Sequence, residues 1–303
     1  MPKNARIIVT GATGQVGLPI TRALAQDNRV FALGRFKQPE DAAKIEALGA
    51  QPVRADLATG GLGDVPTDAD YVLNFAVVRS NVPDFEGDLA LNAEGAGLLF
   101  AHCRPKRGFL HCSSAAVYQW KNGEPVSEGD PLGDHHRVMM PTYSLCKIAA
   151  EAVVRFCARQ WSVPTTIARL GVPYGNNGGW PWYHLMMMKA GVPIPLHASG
   201  PNRFPLLHED DIVRTLDALF EMASVPATIV NWAGSEQTSI EEWCAELSAL
   251  TGLAPKFDRT EKTLAPLPLD VRKLEARAGK SRVPWRDGIR RMVEARNPEL
   301  LKT

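Results

Sequence analysis

The sequence predicts an α/β fold, a doubly wound parallel sheet with a smaller C-terminal lobe. Three observations predict it. Short β-branched runs alternate with segments of helical periodicity as far as Leu170. The first run opens directly into a glycine-rich turn, Thr10 to Gly17. Finally, 303 residues at 45% hydrophobic content supply a core for one large domain plus a lobe.

Arg6 to Thr10 is the first strand and Leu18 to Gln26 follows with helical spacing, so the glycines lie on a strand-to-helix turn. Val30 to Leu33 reads as the second strand, Asp41 to Leu48 as a helix, Pro52 to Asp56 as the third strand and Tyr71 to Ala76 as the fourth. Leu89 to Cys103 reads as one helix, Gly108 to Ser113 as the fifth strand, Thr142 to Gln160 as a long helix and Pro164 to Leu170 as the sixth strand. From about Gly175 the texture changes: Asn176 to Met188 and the proline-dense Val192 to Pro205 interrupt the alternation. Asp210 to Glu221 and Ser239 to Thr251 read as helices, Thr228 to Trp232 as a strand between them, and Gly288 to Ala295 as a terminal helix. These breaks assign residues 1–174, with a returning segment near 204–234, to a nucleotide-binding domain, and residues 175–203 and 235–303 to a substrate-binding lobe.

Composition excludes several classes. Lys+Arg 34 against Asp+Glu 33 leaves no basic surplus, which argues against nucleic acid as the principal partner. No segment reaches the roughly 18 apolar residues of a membrane span, and the first residues lack the apolar stretch of a signal peptide. The cysteines, 5 in number, lack metal-ligand spacing and read as reduced thiols, so no metal and a cytoplasmic location are expected.

In a parallel sheet of this kind ligands bind at the C-terminal ends of the strands, and the chemistry-bearing residues fall there. Gly11, Gly14 and Gly17 permit a tight bend and close approach of a pyrophosphate, with Thr13, Gln15 and Val16 lining the phosphates; a plain βα turn has the same pattern. The second strand ends Leu33-Gly34-Arg35-Phe36-Lys37, with no acid to hold ribose hydroxyls. Arg35 therefore favours a 2′-phosphate, and NADP is expected over NAD, although an arginine in a loop is also often simply solvated. Asp56 is placed to meet the adenine or to cap the next turn, with Leu57 beside it, while Phe75 and Ala76 border the cofactor after the fourth strand. Asn74 and Asn92 lie where their amides reach toward the cofactor, or act as caps.

Tyr143 and Lys147 stand one helical turn apart on one face. A phenol ionises near pH ~10, and a neighbouring ammonium favours its phenolate, which suits Tyr143 to exchange a proton with a substrate oxygen while Lys147 also meets the nicotinamide ribose. Alone such a pair is commonly an ordinary surface pair. Its company is Cys112-Ser113-Ser114, where hydroxyls follow a strand at the ligand end of the sheet. Ser113, Val78, Asn176, Trp180 and Arg203 are the expected substrate contacts.

On these residues the chain resembles the extended short-chain dehydrogenase/reductase family, also called the NAD-dependent epimerase/dehydratase family, over nearly its whole length. The glycine turn, Asp56-Leu57, the Ser-Ser-x-x-Val-Tyr stretch ending at Tyr118, the Tyr-x-x-x-Lys pair, Arg169 to Gly175 and Leu207 to Ile212 carry the likeness. The resemblance implies a Rossmann domain, Ser114 as catalytic serine with Ser113 as fallback, Tyr143 as acid/base, Lys147 as its partner, and Asn92 joining them by position. It also implies a homodimer packed through the helix carrying Tyr143 and that of Leu89 to Cys103. Departures concern the substrate. Gln119-Trp120 replaces a glycine and is expected to reshape the pocket mouth; Arg203, with Arg272 or Arg282, only loosely matches a diphosphate grip. Trp180, Trp182, Tyr183 and Met186 to Met188 line an apolar pocket or belong to the core.

The expected activity is hydride transfer between a nicotinamide cofactor and a carbonyl or secondary alcohol on a small molecule. The alternative is a nucleotide-sugar 4-epimerase or dehydratase that recycles NAD internally. A non-catalytic cofactor sensor on the same fold is a third reading.

Overall fold

The computed structural model describes residues 1–78 and 82–302. Its first part runs β1 (Arg6–Thr10), α1 (Gly17–Leu24), β2 (Arg29–Gly34), α2 (Pro39–Ala47), β3 (Gln51–Arg54), β4 (Tyr71–Asn74), α3 (Phe85–Leu89), α4 (Gly95–Cys103), β5 (Gly108–Ser114), α5 (Tyr143–Trp161) and β6 (Thr165–Leu170). The remainder runs β7 (Val172–Gly175), β8 (Gly178–Gly179), α6 (Trp180–Ala190), β9 (Ile194–His197), β10 (Leu206–His208), α7 (Glu209–Arg214), α8 (Leu216–Glu221), β11 (Thr228–Trp232), α9 (Ile240–Thr251), β12 (Phe257–Thr260), α10 (Arg272–Ala278) and α11 (Trp285–Arg296).

Seven strands form one parallel sheet in the order β11-β6-β5-β4-β1-β2-β3. The order reverses direction between β1 and β4, which opens a crevice beyond their C-terminal ends. Successive side chains of β1 alternate faces. Ile7 and Val9 pack with Ile20, Leu73 and Trp232, whereas Ile8 packs with Phe31, Val72, Phe100 and Ile167. A third core around Tyr118, Tyr174, Leu185, Phe204, Trp243 and Ile289 combines the segment Ala115 to Val126 with the later part of the chain, including α6, α9 and α11.

Several expectations are corrected. The helix expected from Leu89 to Cys103 is α3, a π-helical turn over Ala90–Glu94, and α4. At its C-terminal edge a Cβ on Gly95 would sit 2.9 Å from Leu57, so only glycine lets the turn approach the sheet. The segment expected as one helix from Asp210 to Glu221 divides at Thr215, whose Oγ1 donates to the carbonyls of Asp211 and Ile212. The interrupted segment after Gly175 contains α6, and two small sheets, β10-β7-β8 and β12-β9, were not expected at all.

Candidate active site

The crevice is a cleft of about 940 Å³ that runs from Arg35 and Asp56 past the glycine turn to Trp180 and Leu267. Its floor begins where β1 ends. Gly11 has φ +64°, and a Cβ there would lie 2.7 Å from the Phe75 carbonyl; one on Gly17 would lie 2.2 Å from the Gly11 carbonyl. A Cβ at Gly14 would meet only the Gly11 carbonyl within 4 Å, and no side chain caps α1. The turn thus presents uncovered backbone N–H groups to the cleft, a donor set that fits a dinucleotide pyrophosphate.

Thr10, which sequence reasoning passed over, fixes the opposite wall. Its Oγ1 donates to Asn74 Oδ1 at 2.6 Å and accepts from the N–H groups of Phe75 (3.1 Å) and Ala76 (2.9 Å). Asn74 Nδ2 lies 3.2 Å from His111 Nδ1. Burial, then the Lys147 charge, pushes His111 down to about 3, so its ring is neutral and Nδ1 is the acceptor. Asn74 is therefore committed to this chain rather than turned to the cofactor. Asn92 is corrected in the same sense: its Oδ1 accepts from Val78 N–H, its Nδ2 donates to the carbonyls of Val78 and Asp88, and it does not line the cleft. It holds the segment after β4 in place.

Ser113 and Ser114 are neighbours on β5 and so face opposite ways. Ser113 Oγ donates to Glu151 Oε1 at 2.6 Å, and Glu151 is held by Arg169 through contacts of 2.9 and 2.7 Å. Ser113 lines the cleft, but its hydroxyl is committed to that bond, which completes a buried ion pair. Ser114 Oγ accepts from Ala116 N–H, while its O–H has no partner among the described residues and borders the cleft. Tyr143, Lys147 and Glu151 follow at four-residue spacing on α5; Lys147 is buried and donates from Nζ to the Cys112 carbonyl at 2.8 Å. Tyr143 lines the cleft beside His136, ring centroids 5.7 Å apart. His135 donates from Nε2 to the Ala265 carbonyl (2.9 Å), and burial pushes it down to about 4. Its neutral ring accepts at Nδ1 from His136 Nδ1, 3.0 Å away. Extending the period from Tyr143 and Lys147 would have found Glu151; nothing local marked Thr10 or His136.

At the other end, Arg35, Lys37, Asp56 and Leu57 line the cleft, and a smaller pit beside it is bounded by Arg35, Lys37, Arg54, Ala55, Asp56 and Gly61. Asp56 Oδ1 accepts from Ala58 N–H, the capping role left open above. Thr13, Gln15 and Val16 line the cleft, and the Gln15 side chain is bonded to Asn177.

Trp180, Val78, Met139, Phe204, Leu264 and Leu267 form an apolar inner half. Two expected substrate contacts lie outside it: Asn176 is exposed, and so is Arg203, whose backbone pairs with Ser239. Arg272 is paired with Asp270, and the Arg282 N–H is bound by Asp211, so neither borders the cleft. Trp120 packs its ring against His197, 5.3 Å away, instead of reshaping the mouth. Met186, Met187 and Met188 belong to the core. Among the described residues no helix is long and apolar enough to cross a membrane, and no His, Cys, Asp and Glu cluster suits a metal ion.

Comparison with known proteins agrees with this geometry. The trifunctional UDP-glucose 4,6-dehydratase/UDP-4-keto-6-deoxy-D-glucose 3,5-epimerase/UDP-4-keto-L-rhamnose-reductase RHM3 of Arabidopsis thaliana is 24% identical over 98% of this chain and 48% of its own length. The 2′-dehydrokanamycin reductase of Streptomyces kanamyceticus is 26% identical over 75% of this chain and 61% of its own. The chain spans about half the length of the first of these relatives. Among solved structures, UDP-glucuronic acid 4-epimerase from Bacillus cereus in complex with UDP-glucuronic acid and NAD superposes with a TM-score of 0.80 at 22% identity, covering 96% of this chain and 98% of that one. UDP-N-acetylglucosamine 4-epimerase from Methanobrevibacter ruminantium reaches 0.83 at 17% identity, covering 98% and 100%. A sequence model of one family matches residues 7–233, and the chain belongs to that family, the NAD dependent epimerase/dehydratase family.

Proposed function

We propose that the chain is an NAD(P)-dependent oxidoreductase acting on a carbonyl or secondary alcohol, with Ser114, Tyr143 and Lys147 as its working residues. The observation that carries this reading is the convergence on one cleft of the uncovered glycine turn, the Ser114 O–H, which has no acceptor among the described residues, and the Tyr143 phenol. The bound nicotinamide would supply or accept the hydride. The glycine turn would hold the pyrophosphate, Phe75 and Ala76 would border the cofactor, and Lys147 would meet its ribose. Ser114 donates its O–H to the substrate oxygen, and Tyr143 gives that oxygen a proton in reduction or removes one in oxidation. Lys147, fixed by the Cys112 carbonyl, keeps a positive charge beneath that exchange.

Preference for NADP is supported by Arg35, Lys37 and Arg54, three cations around a pit whose single acid, Asp56, accepts from the Ala58 N–H, and by the absence of an acid directly after β2. Against them stands NAD in the solved neighbours. The 4-epimerase reading is favoured by the UDP-sugar 4-epimerases among the solved neighbours, whereas the relative RHM3 is named for dehydratase, 3,5-epimerase and reductase activities. A dehydratase would need a further acid/base pair at the substrate. The carboxylates lining the cleft among the described residues, Asp41 and Asp56, lie at the adenosine end, and Ala115 and Ala116 follow Ser114.

The stripe Leu98, Leu145 and Phe156, exposed by 44%, 43% and 63%, supports pairing of α4 and α5 with a second copy. The five free, buried cysteines suit a reducing cytoplasm. The test is Tyr143→Phe, assayed with nucleotide sugars and with simple carbonyls. Turnover is expected to fall at least a hundredfold with cofactor affinity within about twofold of wild type; near-normal turnover would remove Tyr143 from its role.

A further inference from the structure

Gln15 and Asn177 join two parts of the molecule that are far apart in sequence. Asn177 Nδ2 donates to the Gln15 carbonyl at 2.9 Å, and Gln15 Nε2 donates to Asn177 Oδ1. Each end is anchored. Gln15 belongs to the glycine turn, whose bend is fixed by the Gly14 N–H on the Gly11 carbonyl (3.0 Å). Asn177 sits at the tip of the β7-β8 hairpin, and the N–H groups of Asn176 and Asn177 are bound by the Glu209 carboxylate. Glu209 is itself buried against Gly175, where a Cβ would lie 2.5 Å from it.

The two anchored ends are the two banks of the cleft. Gln15 and Val16 line one side, while Pro173 and Gly179, on the strands flanking Asn177, line the other. A pyrophosphate on the glycine turn is therefore adjacent to a side-chain crosslink that ties the two banks together from outside the cleft lining. We propose that Asn177 is a cofactor-retention residue, which with Gln15 forms a two-bond clasp that opens before the dinucleotide leaves. The inference rests on the nicotinamide-cofactor reading above. It adds a kinetic property that neither the glycine turn nor the Tyr143 set implies. Breaking two neutral hydrogen bonds is worth about tenfold or more in a rate. Because Asn177 does not border the cleft, its truncation removes the clasp without removing a group that lines the cleft.

The experiment is a stopped-flow displacement. Protein loaded with NADPH, or with NADH if that binds more tightly, is mixed with excess oxidised nucleotide, and the decay of bound-nucleotide fluorescence is followed. Asn177→Ala is expected to release the nucleotide about tenfold faster, with the association rate within twofold of wild type. Gln15→Met, which loses the side-chain donor to Asn177 Oδ1 but keeps the Asn177 bond to the backbone carbonyl at position 15, is expected to fall between, and it serves if the alanine variant does not fold. Release at the wild-type rate in a folded variant overturns the clasp. Wild-type protein that binds neither nucleotide overturns instead the cofactor reading on which the clasp depends.

Discussion

Thr10→Val is nearly isosteric, yet it removes a hydroxyl on which three polar groups rely. Asn74 Oδ1 loses its 2.6 Å donor, and the N–H groups of Phe75 and Ala76 lose acceptors at 3.1 and 2.9 Å. Thr10 is 1% exposed and Asn74 2%, so water does not replace the lost bond to Asn74. Ala76 is only part-buried and recovers some hydration. A buried polar group left unpaired costs about 1–3 kcal/mol, so two fully orphaned groups and one partly relieved group sum to roughly 3 kcal/mol. For a chain of this size that shifts a thermal midpoint by about 5 °C. Phe75 and Ala76 also border the cleft, so loosening them is expected to weaken cofactor binding about tenfold. Thermal unfolding and a fluorescence titration with NADPH and NADH measure the two effects, and Thr10→Ser, which keeps the hydroxyl, is expected to restore both. A valine variant within 1 °C of wild type and with unchanged affinity would show that Thr10 does not hold this wall.

The two serines of β5 separate by turnover: Ser114→Ala is expected to lose about a hundredfold in turnover, with about 1 kcal/mol of stability from the buried Ala116 N–H it leaves unpaired, and Ser113→Ala to lose about 1–3 kcal/mol of stability while keeping turnover; a hundredfold turnover loss in Ser113→Ala and none in Ser114→Ala would exchange their assignments. Arg54→Ala is expected to weaken NADPH at least fivefold and leave NADH unchanged by titration, and equal losses for both would remove Arg54 from 2′-phosphate recognition. Acid stability follows from the histidines: burial holds His111 near about 3 and His135, His184 and His208 near about 4. Their unfolded forms bind protons from about pH 6.5 downward while the folded forms do not, so stability present above pH 6.5 falls as pH falls toward 4. Each such histidine steepens the loss by about one proton, and His184→Gln should flatten the stability curve measured by denaturant titration; an unchanged slope would mean that His184 titrates freely in the folded chain.

The fold was legible because β1, the glycine turn and α1 encode one another locally: a β-branched run must end where Gly11 takes φ +64°, and helical spacing starts where Gly17 admits the Gly11 carbonyl. The same locality failed at Leu89 to Cys103. Apolar spacing there is continuous, and the π-helical turn arises from tertiary demands, namely Asn92 binding Val78 and Gly95 lying against Leu57. The lobe was least legible. Its strands β7 to β10 have two to four residues, too few to show a period, and outside the β7-β8 hairpin their partners come from distant segments.

The candidate site divides on the same line. Residues whose role depends on spacing within one element, Tyr143 and Lys147, stand out in the sequence because a helix face is a local property. Residues whose role depends on a partner do not. Asn74, Asn92 and Gln15 all carry amides near the cleft, and sequence alone turns them toward the ligand because their partners Thr10, Val78 and Asn177 are invisible there. The serine pair lies between these cases. Strand alternation alone requires that Ser113 and Ser114 face opposite ways, so a single site uses one of them. Which one is decided by Glu151, two turns beyond Tyr143 on α5, where it is clamped by Arg169. A buried carboxylate with two oxygens on one guanidinium still needs further donors, and Ser113 supplies one at 2.6 Å. The ion pair thereby claims the Ser113 hydroxyl and leaves the Ser114 O–H for the proposed chemistry, and it couples the stability of β5, β6 and α5 to which serine O–H is left for the cleft.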